Sequence, residues 1–170
     1  MKNTTLISLL ILASCAKQQV HPPVGGGLSA SDMQTSRNRA KSLNEMERQQ
    51  ISEWIEKQPQ KYYPMGLNYW TDVDGLSSRT RKSDGTSVSY SYQILDFDQN
   101  TFYDKPVDRH QAVLGKFEEL KAVDDAVRYL NPGEKATLLV PSVLAFGTYG
   151  DNKEIQNDMP LIIRLKILDN

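Results

Sequence analysis

A chain with one cysteine, Cys15, can close no disulfide within itself, so its stability has to come from packing. One cysteine and two histidines cannot supply a Cys/His metal site of familiar spacing. No Gly-rich phosphate-binding loop is present. Lys and Arg total 20 against 21 Asp and Glu, a formal charge of −1, and they form no basic block. That argues against a nucleic-acid-binding surface. The apolar run near the N-terminus falls short of the roughly 20 residues a membrane-spanning helix needs. No internal repeat is visible. What remains is a chain of 170 residues, enough for one domain with a real core plus an appended segment.

The apolar run is Thr4 to Leu12, flanked by Lys2 and closed by Ala13-Ser14-Cys15. A basic flank, a short apolar core and small residues at its end describe a secretory signal. Leu12-Ala13-Ser14-Cys15 resembles a bacterial lipobox, in which the Cys is acylated and becomes the first residue of the mature chain. The alternative is an ordinary secretory signal with an incidental Cys15. The lipobox reading accounts for a lone cysteine in an oxidising compartment. It makes residues 1–14 a signal peptide and Cys15 the lipidation site. From Ala16 to about Asn38 the composition is polar and small, with Gln18-Gln19, His21-Pro22-Pro23 and Gly25-Gly26-Gly27. Such a stretch buries too little apolar surface to offset its ordering entropy. Residues 15–38 are therefore expected to form a flexible tether with a reach of roughly 25–30 Å.

Leu43, Met46, Ile51, Trp54 and Ile55 recur at helical spacing, which predicts that segment 39–60 carries an amphipathic helix that packs on the domain's own core and stops before Pro59. The aromatic stretch Lys61 to Trp70 is expected to begin the sheet of a domain over 61–170. Between Ser87 and Leu95, Val88, Tyr90, Tyr92 and Ile94 alternate with Ser89, Ser91 and Gln93, the pattern of a half-buried strand. Thr101-Phe102-Tyr103 is expected to continue the sheet after a turn at Asp96 to Asn100. Phe117, Leu120, Val123, Ala126, Val127 and Leu130 form a second helical stripe, ended by Asn131-Pro132-Gly133. Ala136 to Val140 and Leu161 to Leu168 read as strands. The economical architecture is α+β, a mostly antiparallel sheet crossed by one short helix.

From Leu114 onward the residues become specific: Leu114-Gly115, the helix, Asn131-Pro132-Gly133-Glu134, Val140-Pro141-Ser142, Ala145-Phe146-Gly147 with Gly150, and Pro160-Leu161-Ile162-Ile163. This order and spacing resembles FKBP-type peptidyl-prolyl isomerases. It is most similar to the gliding-motility-associated lipoprotein branch of Bacteroidota, through the lipobox, the N-terminal helix, Gly66 to Trp70, Pro141-Ser142 and Tyr149-Gly150-Asp151. The resemblance implies an FKBP-like twisted antiparallel sheet wrapped on one short helix, with an extra amphipathic helix at the N-terminus.

It also implies an activity. An X-Pro amide crosses a rotation barrier near 18–20 kcal/mol, so uncatalysed exchange takes tens to hundreds of seconds. Twisting makes the amide less polar, and a dry aromatic pocket favours the twisted state. No nucleophile, metal or cofactor is needed. By the family's motif, Tyr90 would form a wall, and Tyr103 with Asp104 would shape the pocket edge. Leu120 would offer the backbone donor, Val123 the floor, Phe146 and Ile155 the loop side, and Ile163 the back wall; each has a plain alternative as core or turn. Three positions depart from the best-known members, which carry Trp, Tyr and Phe where this chain has Val123, Phe146 and Ile163. The lost hydrogen bond and apolar area imply turnover roughly ten- to several-hundred-fold weaker. The expected role is a monomeric lipoprotein without nucleic-acid partners, anchored through Cys15 in the outer membrane facing the periplasm, acting on proline-containing segments of exported or envelope proteins. Two alternatives stand beside it: a non-catalytic chaperone or assembly factor of a gliding or secretion machine, and a carrier of a small apolar ligand.

Overall fold

The computed structural model describes residues 29–116 and 119–169. Cys15, the signal segment and most of the expected tether lie outside the described residues. Helix α1 spans Ala30–Glu56. It starts earlier than its apolar stripe, so residues 30–38, expected to be tether, are helical. Ser29 supplies the reason: its side chain accepts the Asp32 amide at 3.1 Å, and Asp32 places an acid in the first turn. Residues 30–42 are exposed throughout, so no apolar face marked this part of the helix.

Six strands follow: β1 (Tyr63–Pro64), β2 (Trp70–Thr71), β3 (Ser87–Leu95), β4 (Val107–Val113), β5 (Lys135–Val140) and β6 (Leu161–Ile167). They form one antiparallel sheet in the order β1-β2-β5-β6-β3-β4. Helix α2 (Lys121–Val127) lies between β4 and β5 in sequence. Phe117, part of the expected second stripe, lies outside the described residues. The α+β architecture expected from the sequence is the one observed.

The two-residue period of the strands divides the core between the sheet's faces. On one face, Val88, Tyr90, Tyr92 and Ile94 of β3 and Leu161, Ile163, Leu165 and Ile167 of β6 share a cluster with Ala122, Val123, Ala126 and Val127 of α2. On the other, Leu95, Leu139 and Ile162 meet Ile51 of α1, with Trp54, Ile55, Trp70 and Phe97 around them. The expectation that α1 packs on the domain's own core is met, with one correction to its face. Met46 is turned out, 56% exposed, and Glu47 beside it is buried. The Glu47 carboxylate accepts both the backbone N–H and the hydroxyl of Ser142, each at 2.7 Å. That pair of bonds makes a polar side chain the better occupant of the helix's inner face.

The sheet does not continue through Thr101-Phe102-Tyr103 as expected. Thr101 makes only an isolated bridge with Leu95, and the next strand is β4. Strand β4 carries a bulge: Val88 pairs with Ala112, but Tyr90 pairs with Arg109. Straight continuation would set His110 opposite Tyr90. The extra residue puts Arg109 there instead, on the face that carries α2. Gln111, at the bulge, takes φ +50°, and its N–H donates to the Ser89 hydroxyl at 3.0 Å.

Candidate active site

An open cleft of about 780 Å³ lies on the α2 side of the sheet. Its lining includes Tyr92, Arg109, Glu119, Leu120, Leu144, Ala145 and Phe146, together with the charged residues Arg81, Lys121, Asp124, Asp125 and Arg128. Strand β3 positions Tyr92, and the β4 bulge positions Arg109. The Phe146 side follows a 3-10 turn at Ser142–Leu144, whose first residue is held by Glu47 of α1. Tyr69 is fully buried, and its hydroxyl donates to Asp125 of α2 at 3.1 Å, tying the segment before β2 to the helix.

The polar centre of the cleft is Glu119, whose side chain is only 3% exposed. Its Oε1 accepts the Tyr92 hydroxyl at 2.8 Å and the Leu120 N–H at 3.0 Å. Its Oε2 accepts the Tyr90 hydroxyl at 3.1 Å and Arg109 Nε at 3.2 Å. Burial first, and then the Glu119 charge, raises both tyrosine hydroxyls above the ordinary phenol range. Both therefore stay protonated as donors at neutral pH. The two rings stack with centroids 6.4 Å apart and planes at 18°. A buried carboxylate is tolerated here because each oxygen has two donors, one of them on a guanidinium.

Of the residues proposed from the sequence, Leu120 and Phe146 line this cleft. Tyr90 does not line it: it is fully buried in the core cluster and is joined to the cleft through its hydroxyl's bond to Glu119. Val123, Ile155 and Ile163 belong to the core on which Leu120 and Phe146 pack. Tyr103 is half-buried, and its hydroxyl donates to Asp151. Asp151 in turn accepts the Lys153 and Ile155 amides, both at 3.0 Å, which shapes the loop after Phe146. Asp104 is exposed in the turn before β4. Tyr92 was legible in the sequence, two residues from Tyr90 on the same strand face. Glu119 and Arg109 were not, because their meeting depends on the bulge. Among the described residues, no group of three or more His, Cys, Asp or Glu is placed to hold a metal ion. The arrangement combines apolar and aromatic surface from Tyr92, Leu120, Leu144, Ala145 and Phe146 with charged groups from Arg81, Arg109, Glu119, Lys121, Asp124, Asp125 and Arg128.

Comparison with known proteins gives this frame a family. The family model for FKBP-type peptidyl-prolyl cis-trans isomerase matches residues 78–168. FK506-binding protein 2 of Yarrowia lipolytica is 30% identical over 95 residues, which cover 54% of this chain and 64% of that protein. The match thus spans less than two thirds of that relative's length. A peptidyl-prolyl cis-trans isomerase from Pseudomonas syringae superimposes with a TM-score of 0.56 at 16% identity, over 76% of this chain and 93% of the other. FkpA from Escherichia coli does so with a TM-score of 0.55 at 18% identity, over 84% and 73% respectively. These structural likenesses show an FKBP-like fold. With more than half of its length matched by the family model, the chain belongs to the FKBP-type peptidyl-prolyl cis-trans isomerase family.

Proposed function

We propose that this protein is a lipid-anchored peptidyl-prolyl cis-trans isomerase of the cell envelope, acting on proline-containing segments of exported or envelope proteins. The observation that carries the reading is the convergence of Tyr92, Leu120 and Phe146 on one cleft over an apolar core. A prolyl ring seated between them leaves water, and the less polar twisted amide gains relative to the planar one. Leu120 is the backbone donor in this reading, and the Phe146 loop closes the other side. Val123 and Phe146 lack the indole and the hydroxyl of better-known members, which supports reduced turnover. The test is exchange spectroscopy by NMR on a blocked Leu-Pro peptide with the full chain. Faster cis-trans exchange that falls in Phe146→Ala is the expected result; no acceleration at high protein concentration refutes catalysis.

One observation favours a second reading, a non-catalytic chaperone or assembly factor: the Leu120 N–H already has an acceptor in Glu119. Peptide binding without exchange catalysis is its signature. The envelope setting rests on the lipobox at Cys15, and Ala16 after it favours the outer membrane, facing the periplasm. The lipobox, the helix ahead of the domain and the Gly66 to Trp70 segment support placement in the gliding-motility-associated branch. Among the described residues, no helix is long and apolar enough to cross a membrane. Cys15→Ala is expected to move the protein from the membrane fraction to the soluble fraction without unfolding it; continued membrane association refutes the anchor.

A further inference from the structure

Glu119 is the most buried of the three acids that line the cleft, Asp124 and Asp125 being the others. Its side chain is nearly solvent-free, yet it lines the cleft and accepts from four donors: two phenols, one guanidinium and one backbone amide. Arg109, the group that makes the charge tolerable, arrives only because β4 bulges. The Leu120 amide and the Tyr92 hydroxyl share a single acceptor atom, Oε1. A peptide carbonyl entering the cleft offers the same chemistry as that atom, a lone-pair oxygen, without its negative charge.

We propose that Glu119 is a built-in competitor of the substrate: a positioning residue whose Oε1 holds the Leu120 amide until a peptide carbonyl displaces it. The inference rests on the reading of Leu120 as the donor to a bound X-Pro segment. On displacement Oε2 keeps Tyr90 and Arg109, so the carboxylate need only rotate and remains paired. Hydrogen bonds to an ionised acceptor are roughly twice as strong as neutral ones. The competitor therefore raises the peptide concentration needed for occupancy while keeping the two tyrosine rings fixed. Its consequence is selectivity for segments whose other contacts, along Phe146 and Leu144, are good enough to bring the exchange about.

The test is titration of the full chain with a blocked tetrapeptide containing a central Leu-Pro bond, followed by NMR. In the wild type, peptide addition should shift both the Leu120 amide and the Glu119 side-chain carboxyl carbon. Glu119→Gln keeps the shape but makes the acceptor neutral, and should bind the peptide roughly three- to tenfold more tightly. A merely structural role predicts the opposite sign, weaker binding as the tyrosines lose their acceptor. Equal or weaker binding by Glu119→Gln overturns the proposal while leaving peptide recognition standing. Peptide binding that leaves the wild-type Glu119 carboxyl unmoved also overturns it, and needs no variant to fold. No peptide binding by either protein overturns the reading beneath it as well.

Discussion

Removing the Glu47 carboxylate should loosen the site from the far side of the sheet. Glu47 and Ser142 are both buried, 3% exposed each, and the two bonds between them are short at 2.7 Å. Glu47→Ala leaves a buried backbone N–H and a buried hydroxyl without an acceptor, each at about 1–3 kcal/mol. Relief of the carboxylate's own desolvation offsets part of that, so a net loss of about 2–4 kcal/mol is expected. For a domain of this size that lowers Tm by about 6–15 °C. Glu47→Gln can still accept the amide and should lose only about 0.5–1.5 kcal/mol. Because Ser142 opens the turn that leads to Phe146, Glu47→Ala should also shift the Ser142 and Phe146 amide resonances and weaken peptide binding. Thermal unfolding with Ser142→Ala as the second corner of a double-mutant cycle should give a coupling of about 1–2 kcal/mol. A Tm change below about 2 °C, or a larger one that leaves Phe146 unmoved, would refute the coupling.

Two further outcomes follow from the loop after Phe146. Burial pushes the Asp151 carboxyl upward, but hydrogen bonds from Tyr103 and the Ile155 and Lys153 amides outweigh it and hold the group below the ordinary Asp range. A depressed native pKa contributes stability above the unfolded value of about 3.9, and that contribution is lost as pH falls through the native value. Tyr103→Phe should therefore be less stable than wild type near neutral pH, the gap closing toward strong acid; urea unfolding across pH checks it, and a constant gap contradicts it. At Gly150, φ is +63° and ψ −158°, and a Cβ would stand 2.2 Å from the Ile155 carbonyl oxygen. Gly150→Ala should cost more than about 2 kcal/mol in denaturant unfolding, with amide shifts concentrated between Gly147 and Asp158. A change under about 0.5 kcal/mol would show that this loop relaxes freely.

The sequence was most readable where burial is one-sided or complete. Strands β3 and β6 declare themselves because alternate residues face α2 across a central position in the sheet. Strand β4 does not, since Val107-Asp108-Arg109-His110-Gln111 lies at an edge with polar residues on both faces and a bulge in its register. The first half of α1 was hidden for a related reason: an exposed helix needs no apolar stripe, and its cap at Ser29 is a single local signal. Met46 and Glu47 exchanged roles because hydropathy counts a methionine as interior and cannot see that Ser142, far along the chain, needs an acceptor. The same blindness covers Glu119. Leu120 and Phe146 were placed by family spacing, whereas the partners that satisfy a buried carboxylate come from β3, β4 and the chain just before α2.

The order of strands has a bearing on when this protein can fold. Strand β6 comes last of the six in the sequence, yet it lies between β5 and β3 and bonds to both. A chain that has emerged only as far as Pro160 holds two separate fragments, β1-β2-β5 and β3-β4, with nothing to join them. Ile162 and Ile163 are then missing from both faces, so α1 and α2 each lack a central packing partner. Assembly must wait for sequence-distant pairings, which are slow to form. Until then the facing edges of β5 and β3 are open to mispairing. The sheet therefore closes as one event, when its last strand in sequence enters at its centre.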